Sequence, residues 1–167
     1  MLLKLCILLV AVVGLVYLGA VGFAYLYADG MIFPNIPSSY ETLPHLQKIQ
    51  SRDGESIAVL YLESPNKEHL ILYSHGNGED LGTIFPILQL CQKRGISVLA
   101  YDYPGYGQSS GQASEAGVFA AAQATYDFAL KELGYRPEQI TLYGRSLGSG
   151  PSSWLAAQHP VHGVILE

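Results

Sequence analysis

A serine set between glycines carries the strongest chemical signal in the sequence. The segment GRSLG at 144–148 has the pattern G-x-S-x-G, and it lies between an apolar run at 139–143 and a helical pattern over about 147–158. A nucleophile elbow requires this strand-to-helix context. Because the turn is sharp, Ser146 is predicted to have strained backbone angles, and side chains at Gly144 and Gly148 would clash. The pattern therefore predicts a nucleophilic serine.

The same turn suits the stabilisation of a negative oxygen. The backbone N–H of Leu147 lies at the start of the predicted helix, where unpaired amides favour an oxyanion. The alternative interpretation is that Ser146 merely caps the helix within a glycine-rich turn. The bare pattern is common, but its position directly after a strand and before a helix favours the nucleophile.

A second loop follows the apolar run at 69–74 and reads HGNGED. An oxyanion hole needs a further N–H, which in hydrolases with an elbow comes from a loop after an earlier strand. The backbone of Asn77 is the candidate donor. His75 is a candidate general base, but its place before the turn favours a role with Gly76 in supporting the loop. Asp80 is predicted to be a helix cap rather than a catalytic acid.

A third loop, YDYPGYGQSSG at 101–111, follows the run at 96–101. Its three glycines suggest dinucleotide binding, but the spacing differs from G-x-G-x-x-G and the segment does not open the fold. A tight loop held by Asp102 beside the site is the preferred interpretation.

The three motifs SHGNGED, YDYPGYGQSSG and YGRSLGSGP, in this order, resemble the α/β-hydrolase superfamily. Within it, the chain is similar to a membrane-anchored group that includes serine aminopeptidase-like hydrolases and acyl-thioesterases that remove palmitate from proteins. The likeness covers about residues 40–167, and Ile32-Phe33-Pro34 after an apolar segment also fits. It implies cleavage of an ester, thioester or amide through an acyl-Ser146 intermediate, with neither metal nor organic cofactor. Small-molecule, acylated or lipidated substrates are the expected partners.

The triad of such enzymes runs serine, then Asp or Glu, then His. Only His159 and His162 follow Ser146, and the helix between them and the serine leads to the opposite edge of the sheet. Glu167 lies at the correct edge, but the resemblance places the acid after a further strand. The chain is thus expected to be a fragment without its triad acid and histidine, and to be inactive alone. The alternative is a non-catalytic, membrane-tethered binding protein on a hydrolase scaffold.

The elements that position these loops follow from periodicity. Runs at 45–50 and 56–62 flank an Asp-Gly turn and predict a hairpin. Strands are then predicted at 69–74, 96–101, 139–143 and 162–166, and helices at 80–94, 113–133 and 147–158. Pro86 predicts a bent or delayed start of its helix. This alternation predicts an α/β fold with a mostly parallel sheet and helices on both faces. With the resemblance, it predicts an α/β-hydrolase fold truncated after the sixth strand.

The N-terminal segment from Leu5 to Ala28 contains no charged residue. About 20 apolar residues suffice to cross a membrane, so a single-pass anchor is predicted, with a cleaved signal peptide as the alternative. Lys4 before the run and Asp29 after it place the following domain on the non-cytoplasmic side. The resulting organisation is an anchor at 1–29, a linker at 30–40 that includes Pro34, Asn35 and Pro37, and a partial hydrolase domain at 41–167.

Charge excludes one class of function. The net charge of −5 and a charged fraction of 14% leave no basic patch for nucleic acid. The two cysteines, Cys6 and Cys91, make no disulfide framework and are expected to be buried apolar residues.

Overall fold

A computed structural model describes residues 1–34 and 37–167, which form two compact units, Met1–Ile32 and Phe33–Glu167. Asn35, assigned to the linker from the sequence, and Ile36 lie outside the described residues. The division into an anchor at 1–29, a linker at 30–40 and a domain at 41–167 stays a prediction.

The first unit is one helix, α1, over Leu2–Ile32. It continues past Asp29 and Gly30, so the predicted end of the apolar segment does not end the helix. The helix has a mean hydropathy of 2.7 over its most apolar 18 residues, and none of that stretch is buried in the structure. A helix that is apolar on all sides is typical of a membrane span, and a signal sequence has the same composition.

The expectation that both cysteines are buried was wrong. Cys6 is exposed on α1, and Cys91 is half-buried.

The second unit contains a sheet of six strands among its described residues. The strands are β1 (Leu46–Gln50), β2 (Ser56–Leu62), β3 (Leu70–Ser74), β4 (Ser97–Tyr101), β5 (Ile140–Gly144) and β6 (Gly163–Leu166). Their order is β1-β2-β4-β3-β5-β6. The β1–β2 and β2–β4 pairs are antiparallel, whereas β3–β4, β3–β5 and β5–β6 are parallel. The predicted hairpin and mostly parallel sheet are both confirmed.

Helices cover both faces of this sheet, as the sequence predicted. Alternate residues of the central strands enter different cores, because successive side chains of a strand point to opposite faces. On one face, Leu70 and Leu72 pack with residues of α3 (Glu115–Lys131) and α4 (Ser149–Gln158). On the other, Tyr73 packs with residues of α2 (Leu81–Lys93).

Helix α2 begins at Leu81, directly after its N-cap residue Asp80. Asp80 accepts a hydrogen bond from the Thr83 N–H at 2.9 Å, and the Thr83 hydroxyl oxygen accepts one from the Asp80 N–H at 2.8 Å. This reciprocal capping box confirms the role predicted for Asp80. Of the bent or delayed start predicted from Pro86, the delay was wrong, because the cap fixes the helix from Leu81 onward despite the proline inside it; the bend stays a prediction.

The strands that carry the three loops end in one row. Ser74 of β3 is paired with Tyr101 of β4 on one side and with Gly144 of β5 on the other. The segments that follow these residues therefore leave the sheet side by side at its carboxyl edge, where α/β sheets place their functional groups.

Substitutions of two leucines in α2 test whether the core between α2 and the sheet stabilises the fold. Leu88 is 0% exposed, whereas Leu90 on the same helix is 46% exposed. We expect Leu88→Ala to lower the free energy of unfolding by about 3 kcal/mol, because it leaves a cavity. Leu90→Ala should change it by less than about 0.5 kcal/mol. Urea unfolding of the chain in detergent micelles, followed by Trp154 fluorescence, measures both; equal losses would contradict the assignment.

Candidate active site

The turn between β5 and α4 holds Ser146 in an unusual conformation. Its φ is +50°, in the left-handed region that residues with a side chain rarely adopt. Gly144 ends β5, and Ser146–Gly148 form a 3₁₀ turn that leads into α4. Ser146 is exposed, as is Arg145 before it. The strained strand-to-helix turn predicted from the sequence is confirmed.

Gly144 and Gly148 lie so close to other backbone atoms that neither position has room for a side chain. A Cβ added at Gly144 would lie 2.5 Å from the carbonyl oxygen of Gly148. A Cβ at Gly148 would overlap the carbonyl oxygen of Ser74 at the end of β3. Both contacts are with backbone, which cannot move aside as a flexible side chain would. The predicted clash is therefore confirmed at both positions.

Backbone hydrogen bonds hold the turn from two sides. The Arg145 N–H donates to the Ser74 carbonyl at 3.0 Å, and the Ser146 N–H donates to the Glu167 carbonyl at 2.7 Å. The first bond ties the turn to β3, and the second continues the pairing of β5 with β6. Ser146 thus uses its own amide to extend the sheet pairing.

The two predicted oxyanion donors lie in separate turns beside the serine. Leu147 is in the first turn of a helix, where N–H groups lack partners within the helix itself. Asn77 lies in a tight turn closed by the Glu79 N–H donating to the Gly76 carbonyl at 3.3 Å. Its side-chain oxygen accepts a hydrogen bond of 2.9 Å from the Tyr106 hydroxyl. Their role as oxyanion donors stays a prediction.

An ion pair that the motifs did not predict connects these two turns. Glu79 contacts the Arg145 guanidinium with one carboxylate oxygen and accepts the Gly76 N–H at 2.7 Å with the other. Arg145 also lies 3.6 Å from the Glu167 carboxylate. No local signal in the sequence indicates this pair, because Glu79 and Arg145 lie 66 positions apart in the chain.

His75 is fully buried beneath the same loop. Its Nδ1 lies 2.9 Å from the Gly76 carbonyl oxygen, and its Nε2 lies 3.7 Å from Asp102 Oδ1. A carbonyl only accepts, so Nδ1 carries the proton of the neutral ring. Burial lowers the pKa of His75 to about 4. A buried, neutral histidine of this kind fits support of the loop better than proton transfer at Ser146.

Asp102 organises the third loop from a buried position. Its carboxylate accepts hydrogen bonds from the Leu81 N–H at 2.8 Å and from the Gln108 N–H at 3.2 Å. Burial raises its pKa to about 6, while these hydrogen bonds oppose the shift. Gly107 has φ +48°, and a Cβ there would overlap the Asp102 carboxylate. The geometry fits the tight-loop interpretation of this segment.

Tyrosines complete the buried wall around His75 and Asp102. The Tyr40 hydroxyl donates to Asp102, and the Tyr103 hydroxyl donates to the His75 carbonyl at 2.6 Å. The Tyr101 hydroxyl lies 2.8 Å from the Ser74 hydroxyl. Tyr40 was not predicted, because no local pattern links it to a residue so far along the chain.

The two histidines that follow Ser146 are held elsewhere, as predicted. His159 lies 2.7 Å from the Gln123 side chain and stacks on Tyr126 of α3. The His162 N–H donates to the carbonyl of Ile140, at the start of β5 and therefore at the edge opposite Ser146. Across residues 1–34 and 37–167, no group of three or more His, Cys, Asp or Glu is arranged to hold a metal ion.

Comparison with known proteins identifies related chains. A family model described as alpha/beta hydrolase fold matches residues 69–166. An alpha/beta hydrolase domain-containing protein 17B of Xenopus tropicalis is 38% identical over 116 residues, which is 68% of this chain and 40% of that protein. The Homo sapiens protein of the same name is 37% identical with the same coverage. The chain therefore spans about 40% of the length of these curated relatives.

Solved structures share the architecture at lower identity. The alpha/beta hydrolase GrgF from Penicillium sp. sh18 has a TM-score of 0.66 and 21% identity, with 74% of this chain and 45% of that chain covered. The Pyrococcus furiosus esterase Pf2001 has a TM-score of 0.66 and 15% identity, with 77% and 53% covered. At these identities the likeness shows the fold alone.

The close approach at Gly148 makes a testable prediction. We expect Gly148→Ala to lower the free energy of unfolding by about 3 kcal/mol, because the added methyl group must displace backbone. Gly150 in α4 has open space around a Cβ, so Gly150→Ala should raise stability by up to about 1 kcal/mol through helix propensity. Urea unfolding of both variants in micelles gives the comparison, and a harmless Gly148→Ala would refute the contact.

Burial of His75 predicts a pH dependence of stability. Between about pH 4 and 6.5 the unfolded chain binds a proton at this residue and the folded chain does not, so stability falls as the pH falls. The raised pKa of Asp102 has the opposite effect, because it makes the folded state more stable as the pH falls. The comparison is therefore made with a His75→Gln variant, in which Asp102 makes the same contribution. From pH 7 to 5, the unmodified chain should lose about 2 kcal/mol more than the variant. Parallel stability curves would contradict this.

Proposed function

The chain belongs to the α/β-hydrolase fold family, as its motifs predicted, and from this premise we propose that Ser146 is the nucleophile of a serine hydrolase. The observation that supports this most directly is the exposed serine at φ +50° on a turn between a parallel strand and a helix. Strain of this kind persists only where the surrounding structure enforces it, and it is concentrated at functional sites.

The proposed reaction is acyl transfer. The Ser146 oxygen attacks the carbonyl carbon of an ester, thioester or amide, and its proton passes to a base. The N–H groups of Leu147 and Asn77 stabilise the negative oxygen that forms. The base then gives its proton to the leaving group, which departs to leave an acyl-serine, and water activated by the same base hydrolyses that intermediate. A second such donor typically contributes a factor of about 10²–10³ to the rate.

The base and its acid partner complete the proposed triad from outside residues 1–167. His159 and His162 are held away from Ser146, and His75 is buried beneath the loop. The curated relatives are longer than this chain, so the part of them that the chain does not span has room for both groups. The 167-residue chain alone is accordingly proposed to be inactive, because a serine hydroxyl without its base is a poor nucleophile near neutral pH.

Helix α1 is proposed to tether the hydrolase to a membrane. Its length and composition suffice for a single span. With Lys4 on the cytoplasmic side, the hydrolase unit lies on the non-cytoplasmic side. A tethered enzyme meets substrates that partition into the same membrane, so acylated or lipidated molecules are the proposed class. Esters and thioesters come first in this proposal and peptides second.

Active-site labelling tests the proposal. The full-length gene product, in membranes, is treated with a fluorophosphonate probe that reacts with activated serines. We expect labelling that is lost in Ser146→Ala and retained in Ser153→Ala, which removes an exposed hydroxyl from α4. The chain of residues 1–167, treated alone, should label at least about 10³-fold more slowly, because it lacks the base.

Two results would contradict the proposal. Labelling that survives in Ser146→Ala would show that another residue is the nucleophile. A folded full-length product that does not label at all, and does not turn over a short p-nitrophenyl ester, would instead support a tethered, non-catalytic binding protein. Ser146-dependent turnover by residues 1–167 alone would leave Ser146 as the nucleophile but would overturn the placement of the base.

A further inference from the structure

We propose that Glu79 is a positioning residue that sets the distance between the Asn77 turn and the Ser146 turn. The inference rests on the proposed function, because it assigns Glu79 a role in aligning the oxyanion donor with the nucleophile. Glu79 belongs to neither the nucleophile elbow nor the set of amides that would contact an oxyanion.

Glu79 closes its own turn in two ways. The Glu79 N–H donates to the Gly76 carbonyl at 3.3 Å, and the Glu79 carboxylate accepts the Gly76 N–H at 2.7 Å. The turn is thus closed by main chain in one direction and by side chain in the other. Gly78 has φ +78°, which suits the third position of a type II turn. Asn77 lies inside this doubly closed turn, so its N–H has a fixed direction.

The other carboxylate oxygen of Glu79 contacts the Ser146 turn. It pairs with the guanidinium of Arg145, the residue directly before Ser146. Arg145 is itself fixed, because its N–H donates to the Ser74 carbonyl at 3.0 Å. One carboxylate therefore joins the turn after β3 to the turn after β5. Since β3 and β5 are in register at Ser74 and Gly144, the two turns are adjacent, and Glu79 lies across the gap between them.

The exposure of this ion pair indicates that it fixes the geometry of the two turns more than it stabilises the fold. The Glu79 side chain is 22% exposed and that of Arg145 is 46% exposed. A pair this close to solvent contributes little to folding stability. Catalysis is far more sensitive to position, because a displacement of about 1 Å can cost a factor of about 10² in rate. Loss of Glu79 is therefore expected to affect the reaction far more than the fold.

The experiment measures kcat and KM for a short p-nitrophenyl ester with the full-length gene product. We expect Glu79→Ala to lower kcat by about 10- to 100-fold with KM changed less than about threefold, since the loss concerns the transition state. Glu79→Gln retains an oxygen acceptor for the Gly76 N–H and should recover part of the rate. Glu63→Ala, which removes an acid from the exposed Glu63–Lys67 pair, is the matched control and should be unchanged.

Two further measurements exclude a general effect on folding. The double variant Glu79→Ala/Arg145→Ala should be no slower than the slower single variant, because both substitutions break the same connection. In residues 1–167 alone, amide hydrogen exchange at Gly76 should accelerate about tenfold or more in Glu79→Ala and not in Glu63→Ala, which reports the opening of the turn without reference to activity.

The possible outcomes distinguish the two proposals. If turnover is unaffected by Ser146→Ala, the proposed function fails, and the inference about Glu79 fails with it. If turnover depends on Ser146 but Glu79→Ala behaves as Glu63→Ala does in kcat, the inference alone is overturned. A change confined to KM, or equal exchange at Gly76 in Glu79→Ala and the unmodified chain, would also overturn it.

Discussion

The contact between the start of the helix at Gly148 and the carbonyl of Ser74 is the constraint on which this end of the molecule depends. It brings the β5–α4 turn so close to the end of β3 that a Cβ at Gly148 would overlap the Ser74 carbonyl oxygen. The φ of +50° at Ser146 accommodates this close packing, and the residue is exposed. Because β3 and β5 are in register, the same contact places the Asn77 turn beside the serine.

Buried polar groups hold the surrounding loops in place. A carboxylate as deeply buried as Asp102 is costly unless hydrogen bonds compensate. Here its partners come from three segments that are distant in sequence: Tyr40, Leu81 and Gln108. One group therefore fixes the chain before β1, the start of α2 and the third loop relative to each other. Nearby, the ring of His75 packs against Tyr103 with 4.2 Å between ring centroids, and because it is neutral it adds no second charge.

Local signals predicted most of the fold and part of the candidate site. The strands, the capped start of α2 and the glycine turn around Ser146 each depend on residues close in sequence, where periodicity, propensity and spacing act. The contacts of Tyr40 with Asp102 and of Glu79 with Arg145 join residues far apart in the chain. A single sequence carries no signal for such pairs, since only the folded sheet brings them together. Pro86 does not delay the start of α2, because the cap at Asp80 fixes that start.

The tyrosines of the buried wall set an alkaline limit for the folded unit. Burial raises the pKa of Tyr101 and of Tyr103 above that of a free phenol. Above about pH 10 the unfolded chain releases these protons while the folded chain retains them, so stability falls with rising pH. Each such phenol contributes about 1.4 kcal/mol of loss per pH unit until it ionises in place. Below the pH at which these two rings ionise in place, their phenolate absorbance would therefore report the opening of the sheet edge that carries Ser146.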